Sequence, residues 1–176
     1  MGAAASRASS IDVDAYDALA ALPSATLASG EPYDFANTRG KVVLIANVAS
    51  YCGLTKENYA DFVALEREFG EDLLILAFPC NQFLFQEPLG SDKACAFARR
   101  GGFRGEVFDK VRVNGSGTSH VFAWLKKKMG VRRINWNFGK FLIDRRGVVR
   151  AYHGPRTRPA KFRAEIQSLL NEAAAA

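Results

Sequence analysis

The sequence predicts an α/β fold in which helices flank a central mixed sheet, and two patterns support this prediction. First, apolar runs at 41–49 and 73–78 predict strands buried on both faces, and the segment 54–69 between them has apolar residues near helical spacing. Such a strand–helix–strand unit forms a right-handed parallel crossover. Second, the segment 138–152 alternates and turns at 144–147, which predicts an antiparallel hairpin. A sheet that contains both units is mixed.

Shorter elements account for the rest of the chain. In order they are a helical turn within 12–22, a strand pair within 26–37 around the turn at 29–32, and helices at 92–100, 118–128 and 159–171. Ser91 is predicted to be the N-cap of the first of these helices, which Gly101 and Gly102 end. Together the elements are typical of a thioredoxin-like α/β fold.

Length and composition predict one globular domain over residues 11–172, with a flexible Ala/Ser tail at 1–10 and a second tail at 173–176. The net charge is +6, and no nucleic-acid-binding motif accompanies it, so we expect a solvated basic surface and no nucleic-acid partner. No apolar run is long enough to span a bilayer.

The three cysteines, Cys52, Cys80 and Cys95, lie far apart and form no C-x-x-C pair. Their spacing does not match a zinc site, so we expect no metal and no bound cofactor. An odd, sparse count argues against a secreted disulfide scaffold and predicts a reducing, cytoplasmic compartment. We interpret Cys80, at the end of the second buried strand, as structural.

The first six residues match the M-G-x-x-x-S/T pattern for N-myristoylation of Gly2. Two interpretations are open, an acylated terminus and a plain Ala/Ser tail. One myristoyl chain gives only marginal, reversible membrane attachment, so the first interpretation predicts peripheral contact with a membrane.

Cys52 is the most informative residue of the chain, because it lies in a turn between a buried strand and a helix. Amide N–H groups and the positive end of the helix dipole favour a thiolate at such a position. No second cysteine is near in sequence, so we expect one-cysteine attack on an electrophile.

Three neutral hydrogen-bond donors occur in two later segments: Gln82, Trp136 and Asn137. Amide and indole N–H groups stabilise a sulfur anion and a polarised peroxide without burying a second charge. Taken alone, a buried Trp-Asn pair is better explained by core packing with a capped polar group.

The segments 47–55, 78–88 and 134–142 together resemble the glutathione peroxidase superfamily in order and spacing. The similarity covers roughly residues 15–172 and identifies a cysteine-containing, non-selenium member. The resemblance implies a thiol peroxidase that reduces hydrogen peroxide and organic or lipid hydroperoxides.

The same resemblance implies a catalytic tetrad of Cys52, Gln82, Trp136 and Asn137. Cys52 attacks the peroxide, water or an alcohol leaves, and Cys52 becomes a sulfenic acid. A thiol co-substrate, either glutathione or a thioredoxin-type protein, then reduces the sulfenic acid.

Many cysteine-containing members carry a resolving cysteine where this chain has Arg99, after Phe97-Ala98. Cys95 lies four residues earlier, on the same helical face. Two interpretations are open: Cys95 resolves the sulfenic acid if the helix end frays, or it is a small buried residue.

Two departures from the family pattern concern the rim of the expected site. Leu84 replaces a residue that is often Gly and is followed by Phe85, while Tyr51 replaces a residue that is often Lys or Gln. The segment 126–135 lacks the extra loop of tetrameric members, which predicts a monomer of the lipid-hydroperoxide branch. Two interpretations of its basic residues are open. They form a solvated helix face, or they attract phospholipid headgroups or an acidic thiol-donor protein.

A second function class uses the same chemistry: a peroxide sensor that relays oxidation from Cys52 to a partner protein. A dithiol oxidoreductase is poorly supported, because residues 52–55 contain no second cysteine.

Overall fold

The computed structural model describes residues 11–173. Its strands and helices, in chain order, are β1 Ala25–Thr26, β2 Pro32–Tyr33, β3 Val42–Val48, α1 Thr55–Phe69, β4 Leu73–Pro79, α2 Ser91–Arg100, β5 Glu106–Val107, α3 His120–Met129, β6 Lys140–Ile143, β7 Val149–His153 and α4 Arg163–Asn171. Short 3-10 helices lie at Val13–Ala15, Leu19–Ala21, Phe35–Thr38, Gly70–Asp72 and Pro159–Phe162.

The main sheet is mixed and has the order β5-β4-β3-β6-β7. Strands β3, β4 and β5 are parallel, whereas β6 pairs antiparallel with β3 and with β7. The crossover from β3 through α1 to β4 and the hairpin of β6 and β7 are therefore as predicted. The small strand pair β1–β2 lies outside this sheet.

The sheet has a hydrophobic core on each face, and β3 contributes to both because all seven of its residues are buried. Val42 and Leu44 belong to the core that includes residues of α1 and α4, while Val43 and Ile45 belong to the core that includes α3. Successive strand side chains point to opposite faces, which explains the continuous apolar run in the sequence.

The predicted N-cap at Ser91 is wrong. Gly90 is the N-cap of α2 and Ser91 is its first residue. The Ser91 hydroxyl donates to Asp109 Oδ1 and accepts a hydrogen bond from Lys110 N at 3.0 Å, so it is committed to the loop after β5.

Two further differences concern short or terminal structure. Helix α3 begins at His120, because the Ser119 hydroxyl accepts a hydrogen bond from Phe122 N at 3.3 Å and caps the helix there. Strand β5 was not predicted, since two residues are too few to show a period.

The predicted tail at 1–10, including Gly2, lies outside the described residues, as do residues 174–176 of the second tail. Within residues 11–173, no helix is both long enough and apolar enough to cross a membrane.

Candidate active site

Cys52 lies in the turn between β3 and α1, with only 8% of its surface exposed. Within residues 11–173 its Sγ accepts one hydrogen bond, from the backbone amide of Leu54 at 3.5 Å. The turn is held by Thr55, whose amide donates to Cys52 O at 3.0 Å and whose hydroxyl donates to Ala49 O at 2.6 Å. An amide donor and the start of α1 stabilise an anionic sulfur.

Cys52 lines a cavity of about 600 Å³ between the start of α1 and the end of α2. Tyr59 and Phe97 supply apolar walls, and Lys56 and Arg100 are the charged residues among those that line it. Without a carboxylate among its lining residues, the cavity favours a neutral or anionic substrate beside the sulfur.

Trp136 and Asn137 lie in the segment before β6, and Asn47 of β3 holds this segment in place. The Asn47 side chain donates to Trp136 O and accepts from Gly139 N, each at 3.0 Å. The amide of Phe138, whose φ is 63°, donates to Asn47 O at 2.6 Å. These three hydrogen bonds anchor the segment to the central strand, and Asn47 is fully buried there.

Asn137 is fully buried and donates its side-chain amide to Gln86 Oε1 at 2.9 Å. The carbonyl of Gln86 accepts a hydrogen bond from Tyr51 N at 3.0 Å, next to Cys52. Gln86 therefore links Asn137 to the Cys52 turn. Sequence reasoning missed this role, although Gln86 stands in one of the motifs that carry the family resemblance.

The Gln82 side chain forms its hydrogen bonds with the loop between β5 and α3, and not with the Cys52 turn. Its Oε1 accepts from Val113 N at 2.6 Å and from Asn114 N at 3.0 Å, and its Nε2 donates to Asn114 O at 2.9 Å. The structure thus brings Trp136 and Asn137 into the network around the Cys52 turn, while the Gln82 amide is bound to the loop after β5.

Glu87 is a buried carboxylate beside the site that sequence reasoning did not single out. Its Oε2 accepts from the Ser50 hydroxyl at 3.0 Å, and Ser50 lines the Cys52 cavity. Burial raises the pKa of Glu87, and the hydrogen bonds from Ser50 and the charge of Lys110 oppose the shift only in part.

The other two cysteines occupy different environments. Cys80 is fully buried, and its Sγ lies 3.8 Å from Gln82 Oε1. Burial raises the pKa of the Cys80 thiol, which favours its protonated form and fits a structural role. Cys95 is half-buried on α2 and packs against the core that contains Cys52, but the residues of α2 that line the Cys52 cavity are at 97, 98 and 100.

Arg99 stands where the family resemblance implies a resolving cysteine, and its side chain is hydrogen-bonded. Arg99 Nη1 donates to Phe103 O at 2.9 Å and to Gly105 O at 2.7 Å. These bonds tie the end of α2 to the following loop and therefore oppose fraying of this end of the helix.

The basic run near the end of α3 is partly neutralised. Lys127 forms an ion pair with Asp14, and Lys128 Nζ lies 3.6 Å from Asp17 Oδ1. Arg132 and Arg133 are exposed beyond the helix.

A cavity-lining thiol at the carboxyl end of a buried strand, on a mixed five-stranded sheet, is typical of a redox protein of thioredoxin-like architecture. The family model described as glutathione peroxidase matches residues 22–126. The chain belongs to the glutathione peroxidase family and is a thiol peroxidase, which confirms the resemblance seen in the sequence.

Individual relatives agree. A probable phospholipid hydroperoxide glutathione peroxidase from Mesembryanthemum crystallinum is 44% identical over 149 residues, 81% of this chain and 87% of that protein. Glutathione peroxidase 2 from Caenorhabditis elegans is 42% identical over 148 residues, 81% of this chain and 91% of that protein. The crystal structure of Trgpx in apo form matches with a TM-score of 0.73 and 30% identity, over 90% of this chain and 98% of that one, which confirms the predicted fold.

Proposed function

We propose that this thiol peroxidase reduces hydrogen peroxide and organic or lipid hydroperoxides by direct attack of Cys52, and that it acts as a monomer. The observation that carries the proposal is the environment of the Cys52 sulfur. This sulfur accepts a hydrogen bond from the Leu54 amide, and Cys52 lines a cavity whose charged residues are cations.

The reaction needs one thiolate and one proton. The Cys52 thiolate attacks the terminal peroxide oxygen, the O–O bond breaks, and a proton converts the departing oxygen to water or an alcohol while Cys52 becomes a sulfenic acid. Trp136 stabilises the departing oxygen from the segment that Asn47 anchors, and Asn137 takes part if its amide leaves Gln86. Gln82 takes part if its amide leaves Asn114.

A thiol co-substrate returns the sulfenic acid to the thiolate by one of two routes. In the first, Cys95 forms a disulfide with Cys52 and a thioredoxin-type protein reduces it. In the second, one glutathione forms a mixed disulfide with Cys52 as water leaves, and a second glutathione releases the Cys52 thiolate and glutathione disulfide. The ties of Arg99 to Phe103 and Gly105 oppose the opening that the first route requires.

One experiment tests the chemistry and the route together. The reduced protein is treated with one equivalent of a lipid hydroperoxide, and its cysteines are mapped by mass spectrometry. We expect oxidation at Cys52, with a Cys52–Cys95 disulfide marking the first route and a sulfenic acid with free Cys95 marking the second. Near-normal turnover by Cys52→Ser, with Cys80→Ser as the matched control, contradicts the proposal.

Steady turnover with a reductant also separates the enzyme from a peroxide sensor. A sensor is oxidised once and passes its oxidation to one partner protein, whereas a peroxidase cycles with excess thiol. The family match favours the enzyme.

We also propose a cytoplasmic location with peripheral membrane contact through a myristoyl group on Gly2. The support is the sequence pattern at the terminus. If fractionation finds the wild-type protein and Gly2→Ala equally cytosolic, this part of the proposal is wrong.

A further inference from the structure

Two adjacent residues of the loop after β4, Leu84 and Phe85, combine an unfavourable backbone with high exposure. Their φ angles are 50° and 54°, a left-handed region that glycine adopts freely and other residues rarely adopt. Leu84 is 73% exposed and Phe85 is 79% exposed. The loop therefore holds two large apolar side chains in solvent, in a conformation that suits glycine better.

A third exposed apolar residue lies on the Cys52 turn, which is hydrogen-bonded to the loop that carries Leu84 and Phe85. Tyr51 precedes Cys52, is 62% exposed, and donates its amide to Gln86 O at 3.0 Å. We call Tyr51, Leu84 and Phe85 the apolar rim. Within residues 11–173 five large apolar side chains are exposed, and the rim accounts for three of them. Such clustering beside a site marks an interaction surface.

The rim is anchored to the site. Phe83, the residue before Leu84, is buried, and its ring centroid lies 5.8 Å from that of Trp136. Together with the Tyr51–Gln86 hydrogen bond, this contact connects the loop to the Cys52 turn and to the Trp136 segment. A membrane or protein that binds the apolar rim is therefore held close to the reactive sulfur of Cys52.

Cations lie on both sides of the rim. Phe85 lines a cavity of about 480 Å³ with Lys110 and Arg112, and the Cys52 cavity contains Lys56 and Arg100. Neither cavity has an aspartate or a glutamate among its lining residues. Exposed apolar side chains flanked by cations match an interface that is anionic at its surface and apolar below it.

We propose that the apolar rim is a membrane-docking surface, which inserts Leu84 and Phe85 into the headgroup region of an anionic phospholipid bilayer and presents Cys52 to oxidised lipid. The inference rests on the proposed function, because docking is useful only if Cys52 reduces lipid hydroperoxides. A bilayer accommodates projecting side chains of any shape, whereas a protein partner needs a matching concavity.

The test uses non-acylated, full-length protein made in bacteria, so that no myristoyl group contributes. Sedimentation with vesicles of equimolar phosphatidylcholine and phosphatidylglycerol measures the partition coefficient. We expect the double variant L84G/F85G to lower it roughly tenfold or more, because two apolar side chains no longer leave water. Glycine suits both φ angles, so the midpoint of thermal unfolding should not fall, which excludes misfolding as the cause.

The matched control is Val148→Ser. Val148 is also an exposed apolar residue, but it precedes β7 in the hairpin turn, at the end of the sheet opposite Cys52. Its partition coefficient should equal that of the wild type. The proposal is overturned if L84G/F85G and the wild type have equal partition coefficients. It is also overturned if the wild-type protein does not bind these vesicles.

Two further measurements separate this inference from its alternatives. If L84G/F85G binds vesicles normally but raises the KM for a thioredoxin-type protein, the rim is a protein-docking surface and the proposal is overturned. Turnover of hydrogen peroxide by the wild type without vesicles tests the proposed function alone. Its absence overturns the proposed function even where vesicle binding is observed.

Discussion

Asn47 of β3 donates its side-chain amide to the carbonyl oxygen of Trp136 at 3.0 Å, across 89 residues of chain. The same side chain accepts from Gly139 N, so one buried residue sets the position of the segment between them. Trp136 and Asn137 are thus held by the central strand, which also leads directly to Cys52.

We expect Asn47→Ala to lower the free energy of unfolding by about 2–4 kcal/mol, because it leaves the buried Gly139 amide and the part-buried Trp136 carbonyl without this partner. Peroxide turnover should fall as well, since the Trp136 segment loses its anchor. Urea unfolding and steady-state kinetics measure the two effects.

A control for this prediction is Asn58→Ala on α1. The Asn58 side chain is also buried and hydrogen-bonded, to Leu54 O and Lys140 Nζ, but not to the Trp136 segment. If both variants lower turnover by the same factor at matched stability, the anchoring role of Asn47 is refuted.

Gln82 is connected to the Trp136 segment by a longer route. Its amide is hydrogen-bonded to the backbone of Val113 and Asn114, and the Asn114 side chain donates to Ile134 O at 2.8 Å and accepts from Ile134 N at 3.0 Å. Gln82 thereby supports the residues just before Trp136, in addition to any contact with peroxide.

Gln82→Ala should lower the free energy of unfolding by about 1–3 kcal/mol and reduce turnover severely. Asn114→Ala removes the support of Ile134 but keeps the Gln82 amide, so it should reduce turnover less. Second-order rate constants for peroxide compare the two variants. Equal losses would show that Gln82 acts through Asn114 alone.

The parts predicted from sequence are those encoded locally. The continuous apolar run of β3, the helical spacing of α1 and the Cys52 turn are visible within a few residues. Strand β5 was missed because a two-residue edge strand exists only through its pairing with β4. The roles of Asn47 and Gln86, and the direction of the Gln82 amide, depend on which distant backbone atoms lie opposite each side chain, and no local pattern shows this.

Lys140 of β6 is fully buried, and its Nζ donates to Asn58 Oδ1 at 3.2 Å and to Pro155 O at 3.3 Å. Burial lowers the pKa of Lys140 to about 8, despite the charge of Asp61. Because the folded-state pKa lies below the ordinary value, the folded protein binds fewer protons than the unfolded chain above about pH 8, and this group's contribution to stability rises with pH.

We therefore expect the stability of the wild type relative to Lys140→Met to increase between pH 7 and 9.5, by at most roughly 3 kcal/mol for the complete shift. Chemical unfolding of both proteins across this range measures the difference. A difference that is constant with pH would contradict the lowered pKa, since other titrating groups are common to both proteins.

Glu87 shows the opposite dependence. Burial raises the pKa of its carboxyl, so its contribution to stability is complete below the ordinary pKa of glutamate and is lost as pH rises through the folded-state value.

In Glu87→Gln, the amide oxygen still accepts the Ser50 hydrogen bond but the side chain cannot ionise. The free energy of unfolding of Glu87→Gln relative to the wild type should therefore increase from acidic to neutral pH. Chemical unfolding at closely spaced pH values measures this slope. Ser50→Ala serves as the control, because it removes the hydroxyl hydrogen bond but keeps the ionisable carboxyl of Glu87. If the relative stability of Glu87→Gln instead falls as pH rises, the Glu87 carboxyl is stabilised as an anion in the folded protein, and the raised pKa is refuted.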